Sequence, residues 1–343
     1  MPIFMIGTQR SGSNLLRLML NQLPEVAAPH PPHILQRLMP MVPGYGDLAQ
    51  NANFARLVDD VCQLVELNPV AWDGVTLDRA EIARRCRERS LVAVFGAVYD
   101  RMAETRAAQT WCCKSLANIS YLDDIERYFG GTARYIYLYR DGRDVAVSFR
   151  KAVVGEKHVY HIAREWGSTQ RIALAHRKRI GVRRFFGICY EDIITQPERS
   201  MRRLCDFLGY RYTPSMLSFH ETEEAKKAAR SSDLWSNVVN PVMAGNSRKF
   251  LGEMSKAELA LFECIAGDVL DTLGYERVAT RHGEKAEFTE AEIQVFNQQN
   301  QRLKEEVMSK ADPEDLKRRD RQAGLIQQIR QRLQDGDAAW VNV

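Results

Sequence analysis

The chain opens on an apolar run, Pro2–Ile6, that ends at Gly7, and leucine and methionine then recur at helical spacing from Asn14 to Leu23. This predicts a strand, a loop and a helix. The same unit returns later: Ala133–Tyr139 is rich in β-forming residues and stops at Arg140, and Asp141–Lys151 resumes a helical period. Thr110–Lys114 and Arg184–Tyr190 read as further strands. Helices are predicted over 55–67, 78–106, Ile119–Phe129, Pro197–Leu208 and Ser255–Leu273, whereas 24–54 and 210–250 carry little pattern. Strands alternating with helices, without hairpin signals, predict an α/β fold in which a mainly parallel sheet is flanked by helices. Ligands of such sheets sit beyond the strand C-termini.

Past Thr280 the pattern changes. Residues 281–343 are charged and glutamine-rich, with helix-start signals at Thr289-x-x-Glu292 and Asp312-Pro313-Glu314. We expect a body over 1–280 and a helical C-terminal extension over 281–343. Two narrow apolar stripes, Ile293, Phe296, Leu303 and Val307, then Leu325, Ile329 and Leu333, serve either to dock on the body or to form a homodimer.

Composition narrows the class. With 343 residues, 45% hydrophobic and 27% charged, the chain suits a folded soluble protein, and a net charge of +4 is too small an excess to argue for nucleic acid. No apolar run reaches the roughly 20 residues of a membrane span, and Met1–Ile6 leads into the glycine loop without a basic leader, so a cytoplasmic location is expected. The seven cysteines are scattered without a C-x-x-C pair. They read as reduced core residues, and no metal-ligand set is apparent.

The loop Gly7-Thr8-Gln9-Arg10-Ser11-Gly12-Ser13-Asn14 has the glycine spacing of a P-loop, between a strand and a helix. There, several N–H groups at a helix start can converge on one phosphate. A nucleotide-hydrolysing P-loop needs Lys and then Ser/Thr after the second glycine, and Ser13 and Asn14 stand there instead. The cation has moved to Arg10, which with Ser11, Gly12, Ser13 and Asn14 suits a phosphate monoester. A second phosphate has its own candidates: Arg140 closes the later strand, and Ser148 lies about two turns into the helix that follows.

Together these motifs resemble the 5′- and 3′-phosphate motifs of sulfotransferases that use 3′-phosphoadenosine 5′-phosphosulfate (PAPS). The resemblance is greatest to the bacterial and protein-tyrosine branch and covers residues 2 to 275. It implies a P-loop-like fold and metal-free transfer of a sulfuryl group from PAPS to an acceptor hydroxyl or amine, leaving adenosine 3′,5′-bisphosphate. It also implies a catalytic Lys114 facing the bridging oxygen beside Arg10, Tyr190 near the adenosine and Lys249 near the 3′-phosphate.

The sequence departs from the family at the base. Many relatives place a glutamate shortly after the first helix, and by loop counting that position falls at Pro31 in Ala28-Pro29-His30-Pro31-Pro32-His33. His33 is the favoured substitute and His30 the alternative. Two rival functions share the fold: a nucleotide kinase or NTPase, disfavoured by Ser13-Asn14, and a non-catalytic nucleotide-bisphosphate scaffold. The acceptor, whether small molecule, carbohydrate, lipid or peptide, is not legible.

Overall fold

In the computed structural model, which describes residues 1–231 and 233–340, five strands pair in parallel throughout. β1 (Ile3–Gly7), β2 (Val26–Ala27), β3 (Thr110–Cys113), β4 (Arg134–Tyr139) and β5 (Phe185–Cys189) lie in the order β2-β3-β1-β4-β5. β1 is fully buried, as a central parallel strand must be: Phe4 and Ile6 enter one core, Ile3 and Met5 the other. Phe95, Trp111, Phe129 and Tyr135 surround the Phe4 ring at centroid distances of 5.3–5.9 Å. Strand order turns outward in both directions from β1, and the β1–β4 register pairs Gly7 with Leu138. The loops leaving these two strands therefore emerge side by side at a topological switch point.

Among the described residues the longer helices around the sheet are α1 (Ser13–Leu20), α2 (Asn51–Glu66), α3 (Leu91–Thr105), α4 (Leu122–Phe129), α5 (Gly142–Arg150), α6 (Val159–Ile180), α7 (Pro197–Leu208) and α8 (Lys256–Leu273). Several boundaries differ from the sequence expectation. The helix expected over 78–106 is split into Arg79–Arg85 and α3, because Ser90 caps a second start by accepting from the Ala93 N–H at 3.1 Å. Residues 24–54 are not irregular throughout. They hold β2, a helical turn at Ile34–Leu38, a 3₁₀ segment at Met39–Tyr45 and the start of α2. α6 escaped the pattern because its inner face mixes Ile162, Ala163 and Trp166 with the polar Gln170.

The extension forms two helices, α9 (Glu290–Ser309) and α10 (Pro313–Trp340), with Thr289 and Glu292 making the expected capping box. Its root is fixed. Buried Glu263 on α8 pairs with Arg143 of α5 at 2.7 Å and accepts the backbone N–H groups of Val278, Ala279 and Thr280, each at 2.9 Å. On α9, Asn300 Oδ1 accepts from the N–H groups of Lys157 and His158 at 2.8 and 3.0 Å, and Phe296 stacks on His158. On α10, Leu325, Ile329 and Leu333 are buried in the core that holds Phe4. Gln322 donates to the Leu64 carbonyl at 2.8 Å, and Arg332 pairs with Asp60, which also accepts from Tyr45. The docking alternative is thus realised for the α10 stripe, and that stripe is covered within the chain. Among the described residues no helix is long and apolar enough to cross a membrane.

Candidate functional site

Two loops built on glycine geometry meet at the ends of β1 and β4. Gly7 sits at φ 141, where a Cβ would lie 2.1 Å from the Leu138 carbonyl oxygen, and Gly12 sits at φ 88, where a Cβ would lie 2.4 Å from the Tyr190 ring. At Gly7 a side chain would collide with backbone, and at Gly12 it would have to displace the Tyr190 ring. Between them Arg10 takes a left-handed conformation, φ 68, and its Nε donates to Ser148 Oγ at 2.9 Å. Burial and the neighbouring Arg140 lower the Arg10 pKa to about 10. Arg140 in turn donates to the carbonyls of Arg10 (3.1 Å) and Asn246 (2.9 Å) and lies over the Tyr190 ring at 4.4 Å. The two phosphate motifs are therefore one connected structure. Within it Ser11 Oγ and Arg140 Nε are buried without a hydrogen-bond partner.

Asp141 caps α5, accepting from the Arg143 N–H at 2.9 Å. Asp144 holds the backbone N–H groups of Arg248 and Phe250 at 2.7 and 3.1 Å, drawing 246–250 toward the loops that leave β1 and β4. Arg248 takes φ 57 there, and Lys249 is exposed on the cavity wall.

Lys114, at the end of β3, is 7% exposed and donates to Asn14 Oδ1 at 2.9 Å, above the Trp235 ring at 5.7 Å. Burial, reinforced by Arg17 and Arg10, lowers its pKa to about 7. His33 lies on the cavity wall at φ 60, and its Nδ1 meets Ser115 Oγ at 2.9 Å. Burial and the cations Lys114 and Arg37 depress its pKa to about 3. His30 lies behind it, 5% exposed, its ring tilted against Trp235 at a centroid distance of 4.4 Å, with neither ring nitrogen hydrogen-bonded. Its pKa is pushed well below normal by burial and then by Lys114. Of the two histidines, His33 is the one the fold presents to the cavity.

The cavity spans about 1770 Å³ and is lined by Arg10, Gly12, Ser13, Asn14, His33, Lys114, Arg140, Ser148, Tyr190 and Lys249, so every expected site residue except Ser11 and His30 reaches it. Sequence reasoning missed three contributors. Asn246 holds Arg140 and the Tyr190 hydroxyl, the latter at 2.6 Å; Trp235 floors Lys114 and His30; and Lys157 lines the wall. Lys157 is 3% exposed and donates to the carbonyls of Val154 and Gly155. Burial and the neighbouring Lys304 lower its pKa to about 8. All three lie in segments without periodicity. Among the described residues no three His, Cys, Asp or Glu side chains gather as a metal site.

The model of the sulfotransferase family matches residues 2–214, the part of the chain that carries both phosphate motifs and Lys114. The chain belongs to the sulfotransferase family. It is an enzyme of sulfuryl transfer. Protein-tyrosine sulfotransferase 2 of Gallus gallus is 23% identical over 288 residues, covering 81% of this sulfotransferase and 70% of the relative. Protein-tyrosine sulfotransferase A of Caenorhabditis elegans is 24% identical over 284 residues, covering 80% and 67%. Two solved structures share the fold: the sulfotransferase domains from the Synechococcus PCC 7002 olefin synthase (TM-score 0.52, 19% identity, 80% of this chain and 95% of that one) and from the curacin biosynthetic pathway (TM-score 0.50, 20%, 80% and 98%).

Proposed function

We propose that this sulfotransferase takes its sulfuryl group from PAPS and passes it to an acceptor hydroxyl, with His33 as general base. The observation that supports the donor is Arg140 Nε, a buried polar atom without a partner on a side chain that lines the cavity, set between two linked loops that each suit one phosphate. A buried polar group without a partner is costly, and an anion in the cavity supplies what it lacks. Arg10, Ser13 and the N–H groups at the α1 start would hold the 5′-phosphosulfate, while the Ser11 side chain stays behind the loop. Arg140 and Ser148, with Lys249 nearby, would hold the 3′-phosphate, and Tyr190 the nucleoside.

PAPS supplies the activated sulfuryl group; the protein supplies position and charge. With Nδ1–H donating to Ser115 Oγ, His33 offers Nε2 as the acceptor of the hydroxyl proton. As that proton leaves, the acceptor oxygen bonds to sulfur. The sulfur–oxygen bond to the nucleotide breaks, and its electron pair stays on the phosphate. Lys114 meets the charge that appears there. The seven unpaired cysteines, four of them buried, suit a reducing, cytoplasmic setting.

Calorimetry with adenosine 3′,5′-bisphosphate, without metal, tests the reading. It should bind more tightly than adenosine 5′-monophosphate, and radiolabelled PAPS should lose its sulfuryl group to an acceptor. Equal affinity for the two nucleotides, or an absolute need for Mg²⁺, would refute it.

A further inference from the structure

The cavity is larger than the roughly 300–1,000 Å³ that one drug-sized ligand fills, so the nucleotide leaves a second chamber. Its far wall comes from the extension. α9 is pinned to the nucleotide rim through Asn300 and the N–H groups of Lys157 and His158, and α10 to the opposite rim through Leu333 against Gly44 and Gln322 on Leu64. Both helices and the turn joining them, Lys310–Asp312, line the cavity. The extension therefore bridges the two rims. Leu303 and Val307 of α9 and Ile326 of α10 face the same space as Pro40 and Met41.

We propose that α9 and α10 form the acceptor chamber and select a compact alcohol or phenol with an apolar body over a polypeptide. This rests on the reading that the phosphate end of the cavity holds the nucleotide. The acceptor hydroxyl lies between His33 and Lys114, and its hydrocarbon part lies against Leu303, Val307, Ile326 and Met41. A polypeptide acceptor needs an open groove along which the chain enters and leaves, and the bridge from rim to rim crosses that path. The apolar patch of Leu303, Val307, Ile326 and Met41, which Glu306, Lys310, Asp312 and Arg330 border on the same face, favours an apolar ligand body because its burial removes that surface from water, and a carboxylate placed within the patch opposes it.

The test titrates 2-naphthol fluorescence against the full chain, with and without saturating adenosine 3′,5′-bisphosphate. A short tyrosine-containing peptide serves as competitor. Saturable 2-naphthol binding is expected, at least tenfold weaker in Leu303→Glu and in Val307→Glu, while nucleotide affinity, which reports an intact fold, changes less than twofold. The peptide should not compete at millimolar concentration. Absence of saturable naphthol binding, indifference to both substitutions, or effective competition by the peptide overturns the proposal. Naphthol binding that responds to Leu303 without any nucleotide binding would uphold the chamber and refute the donor reading instead.

Discussion

Nucleotide binding should draw a proton onto Lys114. In the free protein its pKa is about 7, lowered by burial and by the cations Arg17 and Arg10. At pH 8 only about one tenth of the molecules carry that charge. A bisphosphate placed beside Arg10 and Lys114 reverses the local field and raises the pKa, because an opposite charge within a few ångströms favours the ionised form. If the bound pKa reaches about 10, binding at pH 8 takes up about 0.9 proton at Lys114. The sign follows: the raised bound pKa makes affinity highest below about pH 7 and lowers it about tenfold per unit between the free and bound values. From pH 7 to 8 the loss is about fivefold, or about 1 kcal/mol. Calorimetry at pH 8 in HEPES and in Tris, whose ionisation heats differ, reads the uptake directly; phosphate groups are fully ionised at this pH. Lys157, whose pKa is about 8, adds a smaller share, so the decisive quantity is the difference between wild type and Lys114→Met. An uptake that Lys114→Met leaves unchanged, or a binding heat independent of buffer, refutes the reasoning.

Arg140→Ala should weaken adenosine 3′,5′-bisphosphate binding by about 1.5–3 kcal/mol, measured by calorimetry, because a charge-assisted hydrogen bond is lost. His33→Ala should lower turnover about 10²–10⁴-fold at saturating PAPS with nucleotide affinity kept, and Ser115→Ala should lower it less, since Ser115 only sets the tautomer. The free-enzyme His33 pKa is about 3, and bound nucleotide charge raises it; the acid limb of kcat should therefore lie at higher pH than that of kcat/KM. Gly12→Ala should abolish nucleotide binding while the chain still folds, because the new Cβ would lie 2.4 Å from Tyr190; a melting curve and a nucleotide titration together check it.

The sheet and the paired phosphate loops were legible because each rests on local rules. An apolar run stops at a glycine, an arginine closes a strand, and Thr289 with Glu292 starts a helix. Asn246, Trp235 and Lys157 were not legible. Each occupies a segment placed by long-range partners: Asp144 for 246–250, His30 and Lys114 for Trp235, and Asn300 for 157. A pairing between Arg143 and Asp144 is what adjacency suggests, yet Arg143 pairs with Asp141 and Glu263, and Asp144 turns to the backbone. β2 is too short to carry a period, and α6 presents too polar an inner face.

Arg10 and His33 both hold backbone angles that glycine would adopt freely, at a cost of about 1 kcal/mol each. Selection on melting temperature alone would pull both positions toward glycine, and the variants it rewards would be sturdier and inert. Any laboratory evolution of this enzyme should therefore score turnover beside heat resistance. In descendants freed from the need to catalyse, glycine at 10 and 33 is the mark that abandonment of the chemistry would leave.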